Sequence, residues 1–514
     1  MSRVGLWQLI LLVVSLIGCS DWRRGPTRKQ QQESFDASGS RFVDGMDART
    51  RSRAETTTSP DRGRVHAKAR FVWIRKKPEA ESEWLGYITL GQSLALSRDR
   101  RTPEAGTGSV CATWVPVAPR GWVCVGRDAT LDAEDPEVVR LEAYAPDIRS
   151  PWPFEYAKSL ETVRYRSVPS PRDQRAKEGN LDALLGRIER ARAARDPAAI
   201  AKIDPRLVGV DLSLSGNAMI ASYEPPAAVL ESDDNIPLGS TIAYVHEFDH
   251  DDRAWLLSWD HAVIPRVRVQ KFPRSEFHGA PLEEGVRFPL GFVRKIAAKK
   301  YRRAAGGALL PSEETFAPRA RIAFGEGKSS LGADVLLETD EAGTFVRQSD
   351  VFVVDPKREL PRRLPGTGRR TWVEVSTVGG WLVAYEGERP VYVTLISAGR
   401  AALGADDKMV PASSTPNGVY AIHSKLKTAT MRSENRPGAS HAEVMYTQVF
   451  FEDYALHGAY WHDAFGDRKS AGCVNLSPID SKWLFDWSEP SVPEDWHVKK
   501  VEPGEAQTVV VIHS

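Results

Sequence analysis

A chain of 514 residues is too long for one hydrophobic core, and we expect it to fold as about three domains. Its 69 Lys and Arg residues nearly balance its 68 Asp and Glu residues, so charge gives no argument for a nucleic-acid partner. The 15 Trp residues are a high count for this length and are typical of β-rich proteins.

Residues 1–18 predict a secretory signal peptide. Arg3 precedes an apolar run from Val4 to Ile17 that is too short to span a membrane comfortably as a permanent helix. The run ends in Leu16-Ile17-Gly18-Cys19, which resembles a bacterial lipobox and implies cleavage before Cys19 and lipidation of that residue. An uncleaved anchor helix is the alternative, and both place the chain in the cell envelope, facing the periplasm. Ser20 follows Cys19 where Asp favours inner-membrane retention, so the outer membrane is favoured.

Residues 19–67 predict a disordered tether, because they are rich in Arg, Ser, Thr, Asp and Gln and show almost no apolar periodicity. Residues 68–131 change to short alternating runs separated by turns, which predict a small β-barrel. This region is similar to bacterial Src-homology-3-like modules. Its tryptophans are expected either to fill the core or to line a groove for a peptide or a glycan: Trp73, Trp84, Trp114 and Trp122.

The four cysteines are assigned different roles according to their positions in the chain. Cys111 and Cys124 lie on two neighbouring strand-like runs of the predicted barrel. Because the signal peptide places the chain in an oxidising compartment, we expect a disulfide between them. With Cys19 assigned to lipidation, Cys473 is the cysteine that remains for chemistry.

Residues 132–206 predict a linker with a helical segment. Leu181, Leu184 and Ile188 recur at helical spacing after Asn180, which is a candidate N-cap. We therefore expect one or two amphipathic helices.

Residues 207–365 predict a β-rich accessory domain, with one of its strands over residues 267–269. A polar cluster in this region matches no strong zinc-binding spacing and is expected to be an exposed turn. Its members are His246, Asp249, His250, Asp251 and His261.

Residues 366–514 contain the pattern that carries the functional prediction. His457-Gly458 ends an apolar strand-like run, and Ser470-Ala471-Gly472-Cys473-Val474-Asn475 follows after a loop. A thiol nucleophile requires a nearby base to raise its thiolate fraction, together with backbone N–H groups that hold the oxyanion. A glycine before the cysteine lets a substrate approach the backbone closely.

This motif resembles the signature of the L,D-transpeptidase (YkuD-like) family, and the resemblance covers roughly Thr371 to Trp487. It implies that Cys473 is the nucleophile and that His457 is the general base. It also implies that Ser470 supports the turn and that Gly472 offers a backbone N–H to the oxyanion.

The sequence departs from many members of that family at two positions. Ala471 stands where they have His, and Asn475 stands where they have Arg.

His462 is a competing base and could instead join His457 and Asp463 in a metal site, but the cysteine turn argues against this. Candidate substrate-binding residues, with core packing as the alternative for the tyrosines and the tryptophan, are Tyr446, Tyr460, Trp461, His462 and Asn475.

The predicted fold is mainly β and multidomain, with a C-terminal β-sandwich preceded by a small β-barrel and a β-rich accessory region with one or two helices. The resemblance implies that Cys473 attacks a peptidoglycan tetrapeptide stem, expels the terminal D-Ala and passes the acyl group to an amine. No metal or cofactor is expected. The alternatives are an L,D-carboxypeptidase, an enzyme that attaches peptidoglycan to a protein, and a non-catalytic wall-binding lipoprotein.

Overall fold

The computed structural model describes residues 63–97, 104–105, 111–194, 196–208, 234–357, 369–401, 413–432 and 439–514. The predicted signal peptide, Cys19 and most of the predicted tether lie outside these residues. None of the helices described within these ranges combines the length and apolar character needed to cross a membrane.

The N-terminal unit is built from short strands that form two sheets around one core. Its strands are β1 (Arg64–Ala67), β2 (Val72–Arg75), β3 (Trp84–Ile88), β4 (Ser93–Ala95), β5 (Glu104–Ala105), β6 (Cys111–Pro116), β7 (Trp122–Gly126) and β8 (Ala129–Thr130). Strands β4, β1 and β8 form one sheet, so the predicted tether ends before Arg64 rather than at residue 67. Cys111 and Cys124 are joined by a disulfide, with their Cα atoms 5.5 Å apart.

The linker carries more helix than the sequence predicted. Its helices are α1 (Pro136–Ala143), α2 (Pro171–Lys177), α3 (Leu181–Ala194) and α4 (Pro197–Ile203), and its strands are β9 (Glu155–Ser159) and β10 (Thr162–Arg164). Helix α3 begins directly after Asn180 and buries Leu181, Leu184 and Ile188, as its spacing indicated. Pro197 starts helix α4 as its first residue, behind an Asp196 cap, because proline is compatible with the first turn of a helix.

The accessory region contains two sheets. The first is ordered β14-β13-β12-β9-β15 and takes β9 from the linker, while β11 pairs with β10. Its strands are β11 (Asp234–Ile236), β12 (Thr241–His250), β13 (Arg253–Ser258), β14 (Val263–Pro265) and β15 (Val269–Lys271). The strand predicted over residues 267–269 is wrong, because Arg266–Arg268 is a 3-10 turn. This turn buries two arginines that form ion pairs with Glu247 and Glu178.

The second accessory sheet has the order β19-β18-β22-β21-β20-β17-β23. The strands of this part of the chain are β16 (Ala280–Pro281), β17 (Leu290–Val293), β18 (Ala298–Arg303), β19 (Leu309–Phe316), β20 (Arg321–Leu331), β21 (Asp334–Thr339), β22 (Thr344–Arg347) and β23 (Val351–Val354). Phe292 and Phe352 of this sheet pack against Trp372 and Trp381 of the C-terminal unit.

The C-terminal unit is a β-sandwich. Its elements are β24 (Thr371–Ser376), β25 (Trp381–Glu386), β26 (Arg389–Leu395), β27 (Gly418–Ala421), β28 (Ser424–Arg432), β29 (Ser440–Phe451), β30 (Tyr454–Gly458), β31 (Val474–Leu476), α5 (Pro478–Trp487), β32 (Val498–Lys500) and β33 (Val509–His513). One sheet is ordered β16-β26-β25-β24-β33-β27, and the other contains β31-β30-β29-β28-β32. Val375 and Leu382 of the first sheet share a buried core with Leu456 and Val474 of the second.

The second sheet of the sandwich continues into the N-terminal unit. Strand β3 pairs with β32 through Gly86↔Lys499 and Tyr87↔Val498, which gives the ten-strand order β31-β30-β29-β28-β32-β3-β2-β7-β6-β5. Only glycine fits at this junction, since a Cβ atom on Gly86 would lie 2.4 Å from the Val498 carbonyl oxygen and 2.6 Å from the Trp496 ring. The mainly β, multidomain fold is therefore confirmed, but hydrogen-bonded sheets cross the domain boundaries drawn from the sequence.

Candidate active site

Two adjacent parallel strands position the histidine and the cysteine of the sequence motif. Strands β30 and β31 pair with the register Leu456↔Val474 and His457↔Asn475. Leu456 and Val474 point into the sandwich core. Because side chains alternate along a strand, His457 and Asn475 lie on the opposite face, and Cys473, one residue before β31, lies on that face too. There Cys473 packs against the apolar cluster that contains Ala455.

The turn before Cys473 is fixed by side-chain hydrogen bonds. Ser470 Oγ accepts the N–H of Gly472 at 3.0 Å and donates to the carbonyl of Cys473. Thr415 Oγ1 donates to the Gly472 carbonyl at 2.7 Å. Gly472 has φ +140°, and a Cβ atom there would lie 2.8 Å from Tyr454 Cε1, so the turn requires glycine.

The predicted oxyanion role of Gly472 is altered by this arrangement. Its N–H is already donated to Ser470 Oγ, so it is not available to an oxyanion in the conformation described. Ser470 therefore both braces the turn and occupies the donor that the motif suggested for the substrate.

A backbone carbonyl determines which nitrogen of His457 carries the proton. Nδ1 of His457 lies 3.1 Å from the Gly458 carbonyl oxygen. Since a carbonyl can only accept, Nδ1 carries the hydrogen of the neutral ring, and Nε2 keeps a lone pair. The His457 side chain is buried, and its ring centre lies 5.8 Å from that of Trp461. A thiol and an imidazole with an available lone pair on one sheet face are the components of cysteine acyl transfer.

His462 is in the opposite neutral tautomer to His457. Its Nδ1 accepts the N–H of Ala464 at 3.2 Å, so the proton of its neutral ring lies on Nε2. Burial, followed by the nearby His457, lowers the pKa of His462 to about 4, and the ring is neutral at pH 7. With its lone pair engaged, His462 is suited to donating a hydrogen bond and not to acting as a base.

His441 belongs to the same group but carried no signal in the sequence. Its ring stacks on Trp461 with the centres 4.5 Å apart. Burial, followed by the nearby His457, lowers the pKa of His441 to about 4. Thr415 was also not assigned a role from the sequence, although it lies in a stretch that resembles the family.

Three buried polar atoms of this region have no hydrogen-bond partner among the described residues: His441 Nδ1, His462 Nε2 and Asn475 Oδ1. Buried polar groups are nearly always paired in folded proteins. The backbone of Asn475 is satisfied by reciprocal 2.9 Å hydrogen bonds with the backbone of Ser397, so its side-chain Oδ1 is the atom that remains available. These atoms are suited to hydrogen-bonding a polar ligand.

The two tyrosines predicted as substrate-pocket walls lie in the protein interior. Tyr446 hydrogen-bonds to backbone carbonyls of residues 148 and 150 and packs on Phe485. Tyr460 stacks on Tyr156 with the ring centres 3.7 Å apart, and its hydroxyl donates to the Ala442 carbonyl at 2.7 Å. Their surroundings correspond to the packing alternative. Trp461, by contrast, stays half-exposed beside His457.

The accessory region holds the loop that carries Trp461 and His462. Arg319 donates to the carbonyls of Asp463 at 2.9 Å and Phe465 at 2.8 Å. The Asp463 carboxylate accepts from Ser275 Oγ at 2.6 Å and pairs with Lys295 at 2.8 Å. Asp463 is thus occupied by structural partners and not by the neighbouring histidines.

Residues 370–512 match the YkuD family model, whose description is an L,D-transpeptidase catalytic domain. This part of the chain is an L,D-transpeptidase catalytic domain. No curated protein matched the chain.

Solved L,D-transpeptidase structures resemble parts of the chain. The one from Xylanimonas cellulosilytica is 22% identical, covers 31% of this chain and 71% of its own, and has a TM-score of 0.21. The one from Enterococcus faecium is 23% identical, with 28% and 49% covered and a TM-score of 0.21, so the chain spans about half of that structure. The one from Mycobacterium smegmatis is 14% identical, with 42% and 78% covered and a TM-score of 0.23.

Proposed function

We propose that the protein is a peptidoglycan L,D-transpeptidase that forms a thioester on Cys473. The observation that carries this proposal is the placement of Cys473 and His457 on one face of the parallel β30–β31 pair, with the Gly458 carbonyl leaving the His457 Nε2 lone pair available. The match of residues 370–512 to the L,D-transpeptidase family supports peptidoglycan stem peptides as the substrate class, and we propose a tetrapeptide stem that ends in D-Ala as the donor.

In the first half-reaction, His457 Nε2 takes the thiol proton of Cys473. The sulfur then adds to the carbonyl carbon of the third stem residue, and the oxyanion forms beside the 472–473 turn. As the C–N bond breaks, His457 gives the proton to the departing amine of D-Ala, and a thioester remains. The cleaved amide supplies the acyl group, so no nucleotide is consumed.

In the second half-reaction, an acceptor amine attacks the thioester carbon. His457 takes a proton from the attacking amine and returns it to sulfur as the C–S bond breaks, which leaves a new amide and the original thiol. Water in place of the amine would give a tripeptide. We propose that a bound amine acceptor is preferred over bulk water, because His457 is buried beside Trp461.

We also propose that lipidated Cys19 anchors the protein to a membrane of the cell envelope, with the outer membrane favoured. This would place the domain within reach of the wall. Growth in a labelled fatty acid tests this proposal: label should enter the wild-type protein and be absent from Cys19→Ala. Label retained in that variant, or absent from both proteins, would refute the anchor.

The transpeptidase proposal is tested by intact-protein mass spectrometry. The full-length protein is incubated with a purified tetrapeptide stem, and separately with a carbapenem. We expect an adduct of one acyl group that is lost in Cys473→Ala and retained in Cys111→Ala/Cys124→Ala. An adduct that persists in Cys473→Ala, or none on the wild-type protein, would overturn the proposal. With an amine acceptor present, a cross-linked product supports transfer, while tripeptide alone would indicate a carboxypeptidase.

A further inference from the structure

Aromatic side chains cluster on strands β2 and β3 of the ten-stranded sheet, and we call Phe71, Trp73, Trp84 and Tyr87 the aromatic platform. Trp73 lies 5.6 Å from Trp84 and 5.3 Å from Tyr87 between ring centres, and Phe71 lies 5.0 Å from Tyr87. Tyr87 is buried, whereas the other three side chains stay half-exposed. Three of the four rings are therefore partly accessible to solvent, and neighbouring rings meet mostly edge to face.

The platform lies on the sheet face that carries Cys473. Ladder pairs follow this face across the sheet, from Trp73↔Tyr87 through Tyr87↔Val498 to Val498↔Leu426. The platform residues and Cys473 belong to one apolar cluster with Leu426 and Val498. The apolar sheet face beside the candidate nucleophile therefore extends, through the buried Leu426 and Val498, to the N-terminal unit.

The other tryptophans of the N-terminal unit show that this exposure is specific. Trp114 and Trp122 are each only 6% exposed and pack against the Cys111–Cys124 disulfide. They fill a core, as one of the two sequence-based expectations stated. Trp73 and Trp84 instead remain accessible beside cations, with Arg75 at 5.6 Å from the Trp73 ring and Lys500 at 6.0 Å from the Trp84 ring.

The separation between the platform and Cys473 limits what can occupy both. Strand β3 is five strand positions from β31 in the sheet order. At about 4.8 Å per position, the two are roughly 24 Å apart. A fully extended tetrapeptide spans at most about 14 Å, so a single stem bound at Cys473 cannot reach the platform. A polymer that continues from the stem can.

We propose that the aromatic platform binds the glycan chain of the peptidoglycan strand whose stem peptide enters the Cys473 site. This rests on the proposed function. The apolar C–H faces of pyranose rings stack on aromatic rings, and the guanidinium of Arg75 and the ammonium of Lys500 can hydrogen-bond sugar oxygens or pair with carboxylates. Strand β3, joined to β32, holds this subsite in fixed register with the nucleophile.

The test separates glycan binding from chemistry. Full-length wild-type protein and Trp73→Ala/Trp84→Ala are measured for binding to glycan strands whose stems have been removed, and for turnover of a soluble tetrapeptide. We expect the double variant to bind the bare strands at least about tenfold more weakly, while soluble tetrapeptide turnover stays within about twofold. Trp487→Ala, which removes a half-exposed tryptophan of helix α5, should change neither.

Equal binding by the double variant and the wild type would overturn the proposal, and so would a matching loss of binding and tetrapeptide turnover, which would show that the tryptophans only support the fold. Trp73→Phe/Trp84→Phe keeps the rings and should bind between the two extremes. Glycan binding is also measured on Cys473→Ala, so that a failure of the proposed chemistry and a failure of the platform give different results.

Discussion

Two imidazoles, His457 and His462, lie near Trp461 at the candidate site, and the backbone holds them in opposite neutral tautomers. The Gly458 carbonyl holds a proton on Nδ1 of His457, while the Ala464 N–H keeps Nδ1 of His462 unprotonated. Only the first arrangement leaves a lone pair that is not already accepting a backbone N–H. At the scale of single residues, two backbone groups therefore make His457 the candidate base and suit His462 to donating a hydrogen bond.

Replacing His457 is expected to remove proton transfer while leaving the thiol in place. His457→Gln should slow acylation of Cys473 by a tetrapeptide about 10²- to 10⁴-fold, the usual contribution of a general base. His462→Leu should instead raise KM and change kcat by less than about tenfold, because it removes a donor to the substrate. Single-turnover mass spectrometry measures both rates. A larger loss of kcat in His462→Leu than in His457→Gln would reverse the assignment.

The conformation of Gly472 provides a second prediction. Gly472→Ala would hold an L-residue at φ +140° and bring its Cβ atom to 2.8 Å from Tyr454 Cε1, so the turn that carries Cys473 must move. We expect acylation to fall at least about tenfold. Gly504→Ala is the control, since Gly504 has φ +86° but no atom within 4 Å of the added Cβ. It should lower the melting temperature slightly and leave the acylation rate unchanged. Equal rates in the two variants would contradict this account.

The sequence identified some residues of the site better than others. Cys473, His457 and Ser470 were predicted as one site because one short motif contains all three. His441 was missed because it contacts Trp461 only through tertiary packing. Tyr460 was assigned to the pocket because it adjoins the motif, and only the structure shows its ring stacked in the interior.

At the scale of elements, the loop from Trp461 to Phe465 depends on the accessory region. Arg319 binds two of its carbonyls, and Lys295 and Ser275 bind the Asp463 carboxylate. Arg319 is partly buried, which lowers the pKa of its guanidinium without removing its charge at neutral pH. The accessory sheet therefore helps to fix a loop of the catalytic domain.

Removing the Arg319 side chain should loosen this loop without touching the thiol. Arg319→Ala is expected to lower kcat/KM for a tetrapeptide about tenfold, mainly through KM, because Trp461 and His462 lose their fixed position. Alkylation of Cys473 by iodoacetamide should stay within about twofold of the wild-type rate. Arg303→Ala, which changes an exposed residue at the end of strand β18 in the same sheet, should change neither quantity. An equal loss of alkylation rate and turnover in Arg319→Ala would show a general folding defect. Arg319→Lys keeps the positive charge and should recover part of the activity.

Local elements were predicted where the periodicity of apolar residues defines them, as for helix α3. The contacts of Arg319 could not be predicted, because its partners lie 144 and 146 residues away along the chain. The strand predicted over residues 267–269 failed because alternating Val and Arg also suits a tight turn whose arginines are buried in ion pairs.

At the scale of the whole molecule, one sheet joins the N-terminal unit to the catalytic domain. The β3–β32 pairing brings together residues more than four hundred positions apart, and short strands carry no local signal of such a partner. His497 lies at this junction. The backbone N–H of His497 donates to the Tyr87 carbonyl at 2.9 Å. The imidazole ring of His497 stacks on the Tyr87 ring, and its Nε2 lies 3.0 Å from Thr428 Oγ1.

Acid is expected to weaken this junction. Burial, with a further contribution from Lys427, lowers the pKa of His497 from 6.5 to about 3. The open junction therefore binds a proton that the closed junction excludes, and the free energy of opening decreases as the pH falls from about 6.5 to about 3. Between pH 6.5 and pH 4 the loss amounts to roughly 3 kcal/mol. The buried Glu443 nearby has a raised pKa and offsets part of this loss, since its protonation favours the closed form.

Native-state hydrogen exchange of the Tyr87 and Val498 amides, corrected for intrinsic rates, measures the opening free energy across this range. In the wild-type protein it should fall with decreasing pH, whereas in His497→Gln, which cannot take up the proton, the fall should be smaller by roughly 3 kcal/mol. His250→Gln, on strand β12 of the accessory region, should keep the wild-type slope. If His497→Gln kept that slope as well, the acid sensitivity would arise elsewhere, and the junction would not depend on the neutral imidazole of His497.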